Sequence, residues 1–188
     1  FSGDNLVIND FLDDNPLQYD IKRSRIHVVG GGKCVLGMVS ALGNLVRREN
    51  LQHKFSIGSI SVPIDLKSKF DFKTRSLLDG IGVSCYFGSK NNLPDENSVK
   101  ATKHILDCIT DASKSDLGED VQSIFLVFIS GGGSACLTSP KSITLSEKLN
   151  LIQSLVQRGS DIVELNTVRR FYSDVKGGNL ARHILRCN

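Results

Sequence analysis

The sequence predicts an α/β fold in which a parallel, or mostly parallel, β-sheet carries helices on both faces. Short apolar runs bounded by glycine or proline alternate with segments of helical periodicity, and this alternation is typical of parallel sheets. Two of the apolar runs lead into consecutive glycines, a composition typical of binding loops at the strand ends of such sheets. The length of 188 residues favours a single domain over residues 1–188.

Four strands are predicted from runs rich in β-branched and aromatic residues. They cover residues 26–30, 56–63, 83–88 and 123–130. The last run is continuously apolar, which predicts a strand covered on both faces. Residues 1–25 mix acidic, apolar and basic residues without a sustained period, and we expect a short helical or irregular arm there.

Six helices are predicted from apolar residues spaced three and four apart. They cover residues 35–50, part of 66–80, 96–109, 144–159, 161–171 and 179–185. Asp95 is placed to cap the N-terminus of the third helix. Thr144 and Glu147 are spaced as a capping box at the start of the fourth, and Gly159 is placed to end it.

Charge and composition exclude several classes of function. The 23 basic and 20 acidic residues leave a net charge of +3, too small for the dense basic face that binds nucleic acid. No apolar run approaches the roughly 18 residues that span a membrane, so no membrane partner is expected. The five cysteines form no C-x-x-C pair, which favours a reducing, cytoplasmic compartment. The one methionine is Met38, so we expect a processed or partial chain.

The first glycine loop follows the first predicted strand and contains Gly31, Gly32 and Lys33. Glycine lets backbone N–H groups approach an anion, and a lysine at a helix start adds a full positive charge. The spacing matches neither a Walker A loop nor G-x-G-x-x-G. Both an anion site and a tight strand-to-helix turn with a surface lysine remain open.

The second glycine loop follows the fourth predicted strand. It consists of Ser130, Gly131, Gly132, Gly133 and Ser134. Several consecutive glycines favour a nest of backbone donors around a phosphate or carboxylate over a purely structural turn. Ser134 is also a candidate nucleophile, although the string is not G-x-S-x-G and the sequence places no histidine or acid beside it.

A third segment brings amide and basic side chains together near the C-terminus. Asn166 and Arg169 are three residues apart on a predicted helix, and Lys176 precedes Gly177 in a second cation-plus-glycine pattern. Arginine binds carboxylate or phosphate through two parallel hydrogen bonds. The alternative is a solvated basic helix that ends at a glycine cap. The four histidines show no metal-ligand spacing.

Four strings, in this order, resemble the N-terminal domain of the type 2 glycerate kinases, whose C-terminal part is called MOFRL. They are VVGGGKCVLGM, NNLPDENSVKA, FISGGGSACLTSP and ELNTVRRFYSDVKGGNLA. The NNLPD form resembles the animal branch. The resemblance implies a Rossmann-like N-terminal lobe that faces a smaller C-terminal domain across a cleft. It also implies that ATP phosphorylates D-glycerate with Mg²⁺, and that the product is 2-phosphoglycerate.

The resemblance assigns roles residue by residue. Lys33 matches the family's essential lysine, and we assign Lys33 and Arg169 as catalytic residues. The assigned substrate- and nucleotide-binding residues are Gly31, Gly32, Ser130, Gly131, Gly132, Gly133, Ser134, Asn166, Lys176 and Gly177. No metal ligand is assigned, because the acidic motifs of the family lie beyond the part that this chain matches.

The resemblance also implies partners. ATP, D-glycerate and the protein's own C-terminal domain are expected partners, a homo-oligomer is an option, and a mitochondrial location is the alternative to the cytoplasm. We expect the chain alone to be inactive. Two other functions stay open from the residues: a non-catalytic phosphate- or nucleotide-binding module, and a serine hydrolase that uses Ser134.

Overall fold

The computed structural model describes residues 5–8, 17–115 and 121–186. The described strands are β1 (Asn5–Ile8), β2 (Leu17–Asp20), β3 (Ser24–Gly31), β4 (Gly58–Val62), β5 (Val83–Phe87) and β6 (Gln122–Ile129). The described helices are α1 (Val35–Arg48), α2 (Phe72–Asp79), α3 (Glu96–Ser115), α4 (Gly133–Cys136), α5 (Leu145–Gln157), α6 (Ile162–Phe171) and α7 (Asn179–Leu185). The predicted α/β class is confirmed.

The main sheet has four parallel strands in the order β5-β4-β3-β6. Gly30 of β3 lies opposite Ile60 of β4 on one side and Phe128 of β6 on the other. The chain therefore builds the sheet outwards from β3 to β5 and then crosses back to place β6 on the other side of β3. In open α/β sheets the crevice beyond the carboxyl ends of two such strands is where ligands bind.

The core lies on both faces of this sheet. Successive residues of a strand point to opposite faces, so Val28 packs with α1 and Leu78 of α2, whereas its neighbour Val29 packs with Ile105 of α3 and Leu180 of α7. Burying these side chains on both sides of the sheet fixes β3 in place, and β6 is paired to it along its whole length. The core thereby makes the sheet a rigid base for the loops that follow these strands.

Side-chain caps begin several of the helices, and the sequence predicts those of α3 and α5. Thr144 and Glu147 form the capping box of α5, and Asp161 and Glu164 form a second one at α6. Asp95 accepts a hydrogen bond from the Ser98 N–H at 2.8 Å, as an N-terminal cap of α3 does.

The prediction of a helical or irregular arm over residues 1–25 is wrong where the structure describes it. β1 and β2 pair antiparallel, from Asn5 opposite Asp20 to Ile8 opposite Leu17, and residues 24–25 already belong to β3. Leu6 is buried against Ile21 and Ile26. A four-residue strand is too short for its period to be recognised, and its pairing depends on contacts that are distant in sequence. Residues 1–4 and 9–16 lie outside the described residues.

The prediction that the fourth sheet strand is covered on both faces is also wrong. Among the described residues β6 pairs only with β3, and its side chains Val127 and Ile129 are 40% and 59% exposed. The apolar run correctly indicates a strand, but its position at the edge follows from the strand order. The helix predicted in part of 66–80 is confirmed as α2, and a 3-10 segment, Ile64–Lys69, precedes it.

No helix in the described part of the chain is both long and apolar enough to cross a lipid bilayer.

Candidate active site

The two glycine loops lie against each other at the carboxyl ends of β3 and β6. The Lys33 N–H donates to the Gly131 carbonyl at 2.8 Å, and the Cys34 N–H donates to the Ser130 hydroxyl oxygen at 3.0 Å. Cys34 and Ser130, the partners of the second bond, lie 96 positions apart in the sequence. Two hydrogen bonds donated by the first loop to the second therefore fix the relative position of the two loops.

Glycine is required at two points of this contact. Gly32 has a φ of +141°, and a Cβ atom there would lie 2.4 Å from the Ser130 hydroxyl oxygen. Gly132 has a φ of +80°, and a Cβ atom there would lie 3.1 Å from Cγ of Lys33. The exposed Lys33 side chain thus runs across Gly132, and a larger residue at position 132 would displace it.

The second loop also carries free backbone donors. Within the part of the chain that the structure describes, no atom accepts a hydrogen bond from the N–H of Gly131 or Gly132. Successive unpaired N–H groups in a glycine loop make a concave site for an anion. Together with the neighbouring Lys33 ammonium group, they form the part of the site best suited to phosphate oxygens.

Gly31 has a different position from the other predicted loop residues. It is buried as the last residue of β3, and a Cβ atom there would lie 2.7 Å from Cγ of Leu137. The Leu137 side chain leaves no room for a Cβ atom at position 31, and this packing explains the glycine there. Gly133 is buried as well, and its N–H donates to the Ser130 carbonyl at 3.0 Å.

Lys176 connects the third segment to the second glycine loop. Its ammonium group donates to the carbonyl oxygens of Ser134 at 2.7 Å and Leu137 at 2.9 Å. Gly177, with a φ of +63°, allows the chain to turn directly after it. Burial, followed by the positive charges of Lys148 and Arg169, lowers the pKa of Lys176 to about 8. The ammonium group is therefore held in a poorly solvated and electropositive place.

A cavity of about 220 Å³ lies beside this lysine. Its polar wall includes Ser134, Lys148, Arg169 and Lys176, together with Asn92 and Thr138, and its apolar wall includes Leu93, Leu145, Leu149 and Ile152. No carboxylate or histidine lines it among the described residues. We call this space, with these residues, the cationic cavity.

Lys148 is the residue of the cationic cavity that sequence reasoning missed. Its side chain is 6% exposed, and its ammonium group donates to the Tyr172 carbonyl. Burial lowers the pKa of Lys148, the carboxylate of Asp174 opposes this effect, and the charge of Arg169 adds to it. The sequence signal was a lysine on the inward face of α5, three residues after Leu145 and four before Ile152.

Of the two predicted residues on α6, Arg169 lines the cationic cavity and Asn166 does not. Asn166 is exposed, and its amide oxygen accepts a hydrogen bond from the Arg169 guanidinium at 3.3 Å. Arg170 lies on another side of α6 and lines a separate groove with Arg182. Asn166 therefore orients the arginine from outside the cavity.

Ser134 has none of the partners that a nucleophilic serine requires. Among the described residues no histidine or carboxylate contacts its hydroxyl group, and the cationic cavity that it lines contains neither type. A serine becomes nucleophilic only when an adjacent base accepts its proton. The surroundings of Ser134 therefore favour anion binding over hydrolysis.

The described residues do not form a protein site for Mg²⁺. Among them no three histidine, cysteine or acidic side chains group together as metal ligands. Asp95, the acid at the start of α3, accepts hydrogen bonds from the N–H groups of Ser89 and Ser98. Mg²⁺ needs carboxylate or phosphate oxygens in octahedral geometry, and this part of the chain does not supply them.

Comparison with known proteins shows which family the chain belongs to. The chain matches the family model described as a domain of unknown function, DUF4147, over residues 4–188. It is 37% identical over 164 residues to a glycerate kinase of Mus musculus, an alignment that covers 85% of this chain and 29% of that protein. The chain thus spans less than a third of the length of the curated relatives that it matches.

Two crystal structures have the same fold. A Pyrococcus horikoshii protein superposes with a TM-score of 0.70 and 24% identity, covering 95% of this chain and 36% of that one. A glycerate kinase of Thermotoga maritima superposes with a TM-score of 0.58 and 26% identity, covering 87% of this chain and 34% of that one.

Proposed function

The chain belongs to the DUF4147 family and is related to glycerate kinases, and from this we propose that it is the Rossmann-like lobe of an ATP-dependent glycerate 2-kinase. In the proposed reaction the terminal phosphoryl group of ATP passes to the 2-hydroxyl group of D-glycerate. The products are ADP and 2-phosphoglycerate, and the hydroxyl proton leaves to a base. A C-terminal domain of the same protein would close the cleft.

One observation carries this proposal: two glycine loops and the side chains of Lys33 and Lys176 meet at the carboxyl ends of β3 and β6. Phosphoryl transfer depends mainly on positioning the groups and neutralising negative charge that spreads over the phosphate oxygens. The Lys33 ammonium group and the N–H groups of Gly131 and Gly132 supply fixed positive charge and dipoles for this purpose.

The proposal assigns separate tasks to the two ends of the site. Lys33 and the second glycine loop would bind the transferring phosphate, and Lys176 and Arg169 would neutralise the second anionic group of the reaction. Mg²⁺ belongs to the proposal as a partner of the nucleotide phosphates. Because the described residues offer no cluster of carboxylates, we assign no step to the ion and no residue as its ligand.

The test uses the complete gene product and the variant Lys33→Ala. We expect ADP formation that depends on D-glycerate, and a fall in kcat of at least about a hundredfold in the variant, since one charged donor at the reacting group is lost. The matched control is Lys103→Ala, which removes an exposed lysine of α3 and should leave kcat unchanged.

Two results would count against the proposal. Wild-type turnover in Lys33→Ala would remove this lysine from the mechanism. Tight binding of ATP by the complete gene product without any ADP formation would instead favour the non-catalytic nucleotide-binding module.

A further inference from the structure

The cationic cavity contains more positive charge than its own walls balance. Lys148 is buried, Arg169 and Lys176 are partly buried, and no acidic side chain lines the cavity among the described residues. Asp174 is the acid whose charge acts on Lys148. Its carboxylate accepts a hydrogen bond from the Ser139 hydroxyl, and its N–H donates to the Ser139 carbonyl. Burying charged groups is costly unless a counter-charge pairs with them. An anionic ligand in the cavity would pair with this positive charge.

The dimensions of the cavity restrict that ligand. About 220 Å³ is below the roughly 300–1,000 Å³ of sites for drug-sized molecules. Leu145, Leu149 and Ile152 close its apolar side. These walls leave space for a short carbon skeleton that carries an anionic group at one end.

The chemistry of the polar wall favours a carboxylate. The Arg169 guanidinium is planar and matches the two oxygens of a carboxylate, and Asn166 holds it in orientation. The free N–H groups of Gly131 and Gly132, with Lys33, form a separate place for phosphate in the adjoining loop. The cavity and the loop meet at Ser134, which follows the glycines and lines the cavity. A small acid bound there would have its other end directed towards the glycine loop.

On the basis of the proposed function, we propose that the cationic cavity binds the carboxylate of the phosphoryl acceptor and that Lys148 is a specificity-determining residue for it. The charge of Lys148 favours an acceptor that carries a carboxylate over a neutral analogue of the same size. Lys148 acts on the acceptor and not on the nucleotide. This role distinguishes it from Lys33, which acts on the phosphate.

The experiment compares the complete gene product with the variant Lys148→Gln. Glutamine removes the positive charge but keeps an N–H donor for the Tyr172 carbonyl, so the local packing of α5 on the end of α6 is retained. We expect the KM for D-glycerate to rise about ten- to a hundredfold, as the loss of one hydrogen bond to a charged group produces. The KM for ATP should change less than about twofold on the same reasoning. Lys103→Gln serves as the matched control, with both values unchanged.

A second measurement does not depend on the folding of the variant. The wild-type protein is assayed with glyceramide, in which a neutral amide replaces the carboxylate of glycerate. We expect kcat/KM for glyceramide to be lower by about the same ten- to a hundredfold, and Lys148→Gln to reduce this discrimination. Equal kcat/KM for the two acceptors in the wild-type protein would overturn the proposal.

Two further results would also overturn it: an unchanged KM for D-glycerate in a folded Lys148→Gln protein, or a rise in the KM for ATP alone. Absence of kinase activity in the wild-type protein would contradict the proposed function and is recorded separately. In that case calorimetric titration with D-glycerate and with glyceramide tests the cavity directly. Binding of D-glycerate that weakens in Lys148→Gln supports the proposal, and equal binding of the two compounds overturns it.

Discussion

Lys176 makes the stability of the protein depend on pH in a way that can be calculated. Its pKa falls from 10.5 to about 8 because of burial and the nearby charges of Lys148 and Arg169. Between these two pH values the unfolded chain binds the proton and the folded chain releases it, so the free energy of unfolding rises with pH across the window. At about 1.4 kcal/mol per pH unit, the free energy of unfolding increases by about 3 kcal/mol over the full window.

The perturbation is Lys176→Met, which keeps the apolar stem and removes the titrating group. Urea denaturation at intervals from pH 7.5 to 10.5 gives the free energy of unfolding of both proteins. We expect the wild-type value to rise relative to that of the variant by up to about 3 kcal/mol as the pH increases. Thiols and tyrosines that do not interact with Lys176 titrate in both proteins, so their contributions largely cancel in the difference. The Cys136 thiol, whose charge acts on Lys176, is the exception.

The opposite sign would refute this reasoning. If the wild-type protein loses stability relative to Lys176→Met above pH 8, the ammonium group is stabilised by the fold and the cationic cavity contains a counter-charge. A constant difference over the whole range would mean that Lys176 is well solvated. The lost hydrogen bonds to Ser134 and Leu137 shift the variant by a pH-independent amount and do not affect the slope.

Two further predictions concern the second glycine loop. Gly132→Ala should lower kcat/KM by at least about tenfold, because its positive φ and its contact with Lys33 oppose a side chain. The control Gly37→Ala on α1, where a Cβ atom meets no other atom within 4 Å, should lower it less than about twofold. Equal losses in steady-state assays of both variants would contradict the argument. A fluorophosphonate probe should leave Ser134 unmodified, as detected by mass spectrometry, since no base activates this serine. Labelling at Ser134 would instead favour the serine hydrolase.

Local features of the fold were predictable because the residues that cause them are close in sequence. The capping box of Thr144 and Glu147 sets the start of α5, and the glycine after β3 allows α1 to begin at Val35. The antiparallel pairing of β1 with β2 was not predictable, because residues 5–8 bond to residues 17–20 and their short alternation has no distinct period. The exposure of Ile129 likewise depends on β6 lying at the sheet edge.

The candidate site was predictable in its parts and not in its arrangement. The glycine loops and Arg169 stand out in the sequence, but the bond from Cys34 to Ser130 exists only because β6 lies beside β3. Lys148 resembles an ordinary member of an amphipathic helix. Its burial beside Arg169 becomes visible only when α6 is packed against α5.

The most direct test of the central claim is transfer of label from γ-³²P-ATP. The complete gene product is incubated with the nucleotide, Mg²⁺ and D-glycerate, and the products are separated. The account predicts label in 2-phosphoglycerate, formed by the wild-type protein and almost absent with Lys33→Ala. Label that remains in ATP, or that appears only as inorganic phosphate, would contradict the account.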